Sequence, residues 1–548
     1  MTATHALVLV ALLAASCAIA AVARRHGRSA PILLVLAGLA ASYVPGMPEF
    51  TLNPDLVLLG ILPPLLYTEG LRNSYLSIRD NMRPIGLLSV GLVLFTVACV
   101  ATTVRLTVPG VPLAVALTLG AIVAPTDAVT TASVGRRLHL PRRLMTIISG
   151  ESMLNDGTGL TAYQVAVRAA QGAGLAVLAT TGRFLAVSAG GVLVGMALGV
   201  GVQALRSRIR DPLAESATAI LVPYAAYLIA DAVGVSGVLA VVISALYLGH
   251  HAGSAHFATR LQDTAVWQVA TFVLESLVFA LIGLQLRPVV RELSAHPTHH
   301  LAAATAAVLA AVIVARIVWV FPTTYLLAPV RHWHLTRPER RARQAPAESG
   351  RPSWRMVSLL SWAGMRGMIS LVAAFALPVG FPQRTLLLFL TFSVVLGTLL
   401  LQGLTFPWLI RLLGVTQGQD RQERADALAE AAAQQAASAA GLRRLDELAA
   451  RPGPDGRLPD EQTVERLRRL AERRQFGAWE RLDGDTGQDG REVPSAAFRR
   501  LRLEMTAAER AAFIGMRDRR EIDDEILDRV LRELDLEEAM LSREEWPG

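Results

Sequence analysis

Between Ala121 and Thr161 the chain reads AIVAPTDAVTTASVGRRLHLPRRLMTIISGESMLNDGTGLT, two apolar segments joined by a short Arg-rich loop. Asp127, Glu151, Asn155 and Asp156 therefore lie within sequence apolar enough to cross a bilayer. A charge at membrane depth costs at least about 2.5–3.5 kcal/mol, so it persists where it is paired, faces a wet cavity or carries ions. The stretch points to an ion or proton pathway and restricts the fold to one that buries such groups between spanning helices.

Composition agrees. Of 548 residues, 52% are hydrophobic and 18% charged, and the mean hydropathy is +0.41. A soluble domain carries about one quarter charged residues, so the chain reads as an all-α polytopic membrane protein. Its net charge of +8 is unevenly spread: residues 1–414 hold 30 Arg against 15 acids, residues 415–548 hold 23 Arg against 30 acids. The Arg of the first part cluster between apolar segments, where they set topology, which excludes nucleic acid as the partner and leaves membrane lipid. There is no Lys, so every permanent side-chain cation is Arg. Cys17 and Cys99 both lie in apolar segments and offer neither a disulfide framework nor metal-ligand spacing. The N-terminal run has its Arg after the apolar stretch, as a first spanning helix does and a cleaved signal does not.

At roughly 20 apolar residues per crossing, about 13 spans are expected, near 4–23, 30–47, 54–70, 84–104, 111–135, 142–168, 182–204, 213–231, 233–249, 264–286, 301–328, 355–379 and 384–412. With the N-terminus outside, 21 loop Arg fall on the inner side and 6 on the outer. That asymmetry places the C-terminus in the cytoplasm. Two domains follow: a transmembrane domain, 1–414, and a cytosolic helical tail, 415–548, interrupted at RPGPDGRLPDE and RLDGDTGQDGRE. The tail carries no catalytic motif and reads as a regulatory or dimer-supporting appendage.

In APTDAV, Pro125 lacks an N–H and disfavours helix in the residue before it, so the fifth segment should break there. Broken helices expose carbonyls and half-helix ends that coordinate ions. Asp127 then either caps a half-helix or joins an ion site. In GESMLNDGTG, Ser152, Asn155, Asp156 and Gly159 share one helical face, whereas Glu151 points about 140° away from Asp156. Asp156, flanked by Ser152 and Asn155 as neutral oxygen donors, suits a dehydrated hard cation. Glu151 needs a cationic partner, and two Arg lie deep in spans: Arg366, between Gly364 and Gly367, is the preferred partner, with Arg316 second. Glu69 is an interfacial residue or an outer ligand, Glu275 a pathway or packing residue, and His250 and His251 mark the cytoplasmic end of their segment.

The ordered set LPPLLYTEGL, APTDAV, GESMLNDGTG, GVSGVLAVV, VARIVWV and WAGMRGMISL, spread over most of residues 1–414, closely resembles the cation:proton antiporters of the sodium/proton exchanger type, the NhaP-like family. The resemblance implies a homodimer of 13-helix protomers built from inverted repeats, with broken helices crossing in segments five and twelve. It further implies Asp156 as the shared sodium and proton carrier, with Ser152 and the backbone of Thr126 in the coordination, Glu69 acting through water, and Glu151 paired with Arg366. Where the electrogenic branch has two adjacent aspartates, this chain has Asn155 and Asp156, and it lacks a membrane Lys, which implies electroneutral one-for-one exchange.

The expectation is thus a secondary active antiporter of the plasma membrane, not an enzyme, exchanging sodium or lithium for protons in pH and sodium homeostasis. No GxxxxGK[ST] motif occurs, no cofactor is expected, and the ions are cargo. A regulatory ligand or protein is expected at the tail. The rivals are potassium/proton exchange, a non-transporting ion sensor and a passive channel.

Overall fold

Helix falls on each of the thirteen apolar stretches in the computed structural model, which describes residues 3–26, 30–45, 56–138, 140–173, 177–209, 211–255, 257–292, 298–326, 353–378, 380–415, 419–451, 458–480, 494–519, 521 and 524–541. The Arg-rich loop between 331 and 351 and most of the two tail interruptions lie outside these residues. Among the described residues there is no strand. The chain separates into two compact units, Met1–Gln417 and Gly418–Gly548.

The first unit comprises α1 (Ala3–Arg25), α2 (Ala30–Ala41), α3 (Leu62–Arg72), α4 (Tyr75–Asp80), α5 (Met82–Gly86), α6 (Val93–Thr107), α7 (Leu113–Val123), α8 (Ala128–Arg137) and α9 (Arg142–Arg168). It continues with α10 (Val177–Arg206), α11 (Pro212–Ala232), α12 (Gly237–His251), α13 (Phe257–Glu292), α14 (Thr298–Leu326), α15 (Trp354–Trp362), α16 (Met368–Phe375) and α17 (Arg384–Leu413). Six helices among the described residues are long and apolar enough to cross a membrane by length and composition: Met82–Thr107, Thr180–Arg206, Pro212–Ala232, Ala258–Gln285, His300–Tyr325 and Arg384–Leu413. Other predicted spans are shorter because polar chemistry interrupts them, α7 and α8 at Pro125 and α15 and α16 at the Gly364–Gly367 turn.

Local signals fix the helix ends. Asp211 accepts from the Leu213 amide at 3.1 Å with Pro212 at the first helical position. Ser236 caps α12 through the Leu239 amide. α17 ends at Gly414, whose φ of 58° lies in the left-handed region that favours glycine.

The helices of this unit form two groups. In one, α2 lies along α13, α1 packs on both, and α12 lies between α3, α10 and α11. Gly38 and Gly283 face each other so closely that a Cβ on either would strike the backbone of the other helix, which is how α2 and α13 approach. In the other, α6 packs on α7 and α14, α9 on α7, and α17 on α14, α15 and α16. This second group holds two triplets in which the middle member is interrupted: α5–α6, α7/α8, α9, then α14, α15/α16, α17. A π-helical turn, Leu87–Leu92, joins α5 to α6, and the Leu87 carbonyl accepts from Trp319 Nε1 at 3.1 Å.

The second unit is built of two helical hairpins. α18 (Gln419–Ala449) packs on α19 (Glu461–Glu480), with Arg468 on Asp446 at 2.8 Å. α20 (Pro494–Asp518) packs on α21 (Asp524–Leu541), burying Leu527, Leu534 and Thr506. Arg502 grips Glu537 at 2.6 and 2.7 Å, and Arg510 reaches Asp535 and Glu538.

Candidate ion-binding site

The two interruptions meet. α7 ends at Val123, residues 124–127 leave the helical path around Pro125, and α8 restarts at Ala128. α15 ends at Trp362 and α16 restarts at Met368. The Asp127 amide donates to the Met365 carbonyl at 2.8 Å, tying one break to the other. Only glycine fits at 367, because a Cβ there would overlap the Asp127 side chain. Gly159 serves α9 likewise, since a Cβ would overlap Pro125.

Such a crossing leaves helix-end carbonyls without intrahelical donors, and Arg366 supplies them. Its Nε donates to the Val123 carbonyl at 2.9 Å, Nη2 to Ala124 at 3.4 Å and Nη1 to Gly364, while its own amide donates to Thr398 Oγ1 at 3.1 Å. A fixed cation at the C-terminus of half-helix α7 also complements the dipole there. The expected Glu151–Arg366 pair is therefore not what the structure shows. Glu151 pairs with Arg316 of α14, Nη1 to Oε1 and Nη2 to Oε2 at 2.9 Å, and Arg316 also holds the Leu360 carbonyl at 3.0 and 3.1 Å. Spacing along the chain could not choose between the two Arg. The choice follows from α14 lying against α15, with a Cβ-less Gly364 giving room for the Arg316 stem.

A polar relay continues from this pair. Thr126 Oγ1 donates to Glu151 Oε1 at 3.1 Å and accepts from Asn155 Nδ2 at 2.8 Å. The Thr126 hydroxyl is thereby used, which leaves its backbone as the group available to an ion. Asn155, expected among the cation ligands, faces this relay and does not line the cavity described next.

Asp156 points away from Glu151 on α9, as the helical angle required. It lines a buried cavity with Ser152 of α9, Pro125, Thr126 and Asp127 of the first break, Gly367 to Ser370 of the second, and Glu69 of α3. Ser152 Oγ accepts from the Ala128 amide at 3.1 Å, so it steadies the start of α8 while facing the cavity. Asp156 is 2% exposed. Glu69 Oε2 and Ser370 Oγ are buried with no hydrogen-bond partner among the described residues. Glu275 is half-buried on α13 and does not line the cavity. His250 and His251 stack on Tyr75 and Tyr247 at the end of α12, away from it.

Three carboxyl groups, Glu69, Asp127 and Asp156, thus converge on one small cavity, while Arg316 and Arg366 are taken up by Glu151 and by carbonyls. Like charges this close cannot all be bare in a medium of low dielectric. The donor set of the cavity, carboxylate, hydroxyl and carbonyl oxygen, is of the kind that suits protons or a hard cation. Sequence reading missed Ser370 and Thr398. Ser370 stands one turn into a half-helix after a break, a position that could have flagged it; Thr398 lies in an uninterrupted apolar helix and carries no such signal.

An all-helical membrane protein with two interrupted helices crossing at a buried acidic cavity is a secondary ion transporter in its architecture. The family model of the sodium/hydrogen exchanger transmembrane region matches residues 9–412, and the chain belongs to that family of cation/proton antiporters. An uncharacterised Na+/H+ exchanger of Mycobacterium tuberculosis is 34% identical over 97% of this chain and 96% of its own length. A sodium, potassium, lithium and rubidium/H+ antiporter of Bacillus pumilus is 29% identical over 69% of this chain and 57% of its own. Among solved structures, the sodium proton antiporter MjNhaP1 of Methanocaldococcus jannaschii shares the fold with a TM-score of 0.58 at 17% identity, over 74% of this chain and 98% of that one.

Proposed function

We propose that the protein exchanges one sodium or lithium ion for one proton, without net charge movement, by alternating access around Asp156. The observation that carries this reading is the cavity itself: a buried carboxyl that must be neutralised before it can move, set between broken-helix carbonyls and hydroxyls that suit a dehydrated cation. Either one proton or one monovalent cation neutralises Asp156, so each excludes the other and the charge carried is the same in both directions. Asn155 beside it is an amide engaged with Thr126, so it adds no second charge to the cycle.

Sodium sits between Asp156, Ser152 and the Thr126 backbone, with Glu69 closing the site from α3 and Ser370 reaching in from α16. Asp127 holds the start of α8 and adds negative potential. The group containing α6, α7, α9 and α14 to α17 moves as a body against the group containing α2, α3, α11, α12 and α13, carrying Asp156 past Glu69. We assign thirteen crossings with inverted repeats, an external N-terminus, a cytoplasmic tail of regulatory role, a homodimer, and the plasma membrane as site of action, in pH and sodium homeostasis.

Potassium is the second reading, favoured by the wide cation range in the name of the Bacillus relative. Proteoliposomes with a lumenal pH dye, an imposed pH gradient and sodium, lithium or potassium added in turn decide between them. A sodium response that survives valinomycin clamping and is lost in Asp156→Asn is the expected result. A response to potassium alone changes the substrate, and a response to none removes the antiport reading.

A further inference from the structure

On α20 of the tail, Phe498, Leu501, Met505, Ala508, Ala512 and Gly515 recur at alternating spacings of three and four. That is the spacing of a coiled-coil seam. The adjoining face is committed to α21 through Arg502, Thr506 and Arg510, and the stripe itself is exposed: Phe498 is 61% exposed, Leu501 54% and Met505 53%. Ala508 and Ala512 are exposed as well. Large apolar side chains in a helical stripe on solvent mark an interface.

We propose that this seam binds the same seam of a second copy of the chain, antiparallel, about a two-fold axis between positions 506 and 507. The sequence is self-complementary in that direction. One half of the seam is bulky and the other small, and the axis sets Phe498 against the second copy's Gly515, Leu501 against its Ala512 and Met505 against its Ala508. Knobs thus meet space at every layer, whereas a parallel pair would stack Phe498 on Phe498 and leave Ala512 and Gly515 facing a gap.

Six seam positions over 18 residues give a contact of about 26 Å, smaller than a self-sufficient interface of about 1,200 Å². Its strength comes from tethering: in a dimer held by its membrane unit, the second contact is intramolecular. To that extent it rests on the dimer reading above. The interface is isologous, so it closes on itself and does not extend into fibres.

The test is double electron–electron resonance on the full-length protein in nanodiscs, with Cys17 and Cys99 changed to Ser and one spin label at Ala507→Cys or Ala497→Cys, both off the seam. The expected result is a short 507–507 distance, under about 20 Å, and a 497–497 distance near 30 Å from the helical rise. Adding Ala508→Glu should abolish the short distance without changing sodium/proton exchange. Short distances at both positions mean a parallel pair and overturn the proposal. No short distance in protein whose mass is that of a dimer overturns the seam alone; protein that is monomeric by mass photometry overturns the dimer reading instead.

Discussion

Replacing Arg316 with Met removes a fully buried guanidinium that makes two hydrogen bonds to Glu151 and two to the Leu360 carbonyl. What is left is a Glu151 carboxylate, 1% exposed, to which the Thr126 hydroxyl still donates. Breaking a buried ion pair from one side costs about 3–5 kcal/mol because the surviving charge stays in place uncompensated. Loss of a donor at Leu360 adds about 1 kcal/mol. Glu151→Gln with Arg316→Met removes both charges together, so the double variant should be more stable than the sum of the singles by about 3 kcal/mol, roughly a hundredfold in the unfolding equilibrium. The same cycle between Glu151 and Arg366 should return less than half that coupling, since Arg366 donates to carbonyls. Unfolding in mixed detergent and SDS micelles, followed by tryptophan fluorescence, gives the four free energies. Additive effects for Glu151 and Arg316, or a larger coupling for Glu151 and Arg366, would refute the pairing.

Further consequences follow from individual contacts. Gly367→Ala drives a methyl group into Asp127 and should cut exchange at least tenfold while the protein still elutes as folded material on size exclusion. Asn155→Asp removes the donor to Thr126, so a loss of about 1–3 kcal/mol in micelle unfolding is expected, together with weaker exchange. In the tail, hydrogen bonds from Arg502 hold the Glu537 carboxyl below the usual carboxylate range. A carboxyl depressed in the folded state stabilises it above the unfolded value and ceases to do so as pH falls through the folded value. Far-ultraviolet ellipticity of the 494–541 hairpin should therefore hold at neutral pH and decline on acidification below about pH 4, and Arg502→Gln should flatten that decline.

Much of the membrane unit could be read from residue order because bilayer physics is one-dimensional. An apolar run long enough to span satisfies its backbone as helix, and Pro125, followed by two polar residues, marked the break, whereas Pro223, Pro322 and Pro407 are carried inside α11, α14 and α17. The face of α9 that carries Ser152 and Asp156 followed from helical angle alone. Pairing across helices did not. Arg316 and Arg366 have the same chemistry and similar depth, and the choice of Glu151's partner rests on which helix packs beside α15, a fact held in three dimensions. Asn155 misled for a related reason: it shares a face with Asp156 to within one residue's rotation, and the Thr126 hydroxyl claims its amide. Ser370 could have been flagged by its place just after the second break, but that α16 brings it to the cavity of Asp156 is set by the crossing.

The most direct test of the central claim is proton release on ion binding. Purified protein in weakly buffered detergent with a pH-sensitive dye receives sodium chloride, with choline chloride as the control for ionic strength. If Asp156 is one site shared by one proton and one cation, sodium releases protons in proportion to its binding, up to one per protomer, and Asp156→Asn releases none. Equal release from the Asp156→Asn protein, or sodium binding with no proton release at any pH between 5 and 9, would contradict it.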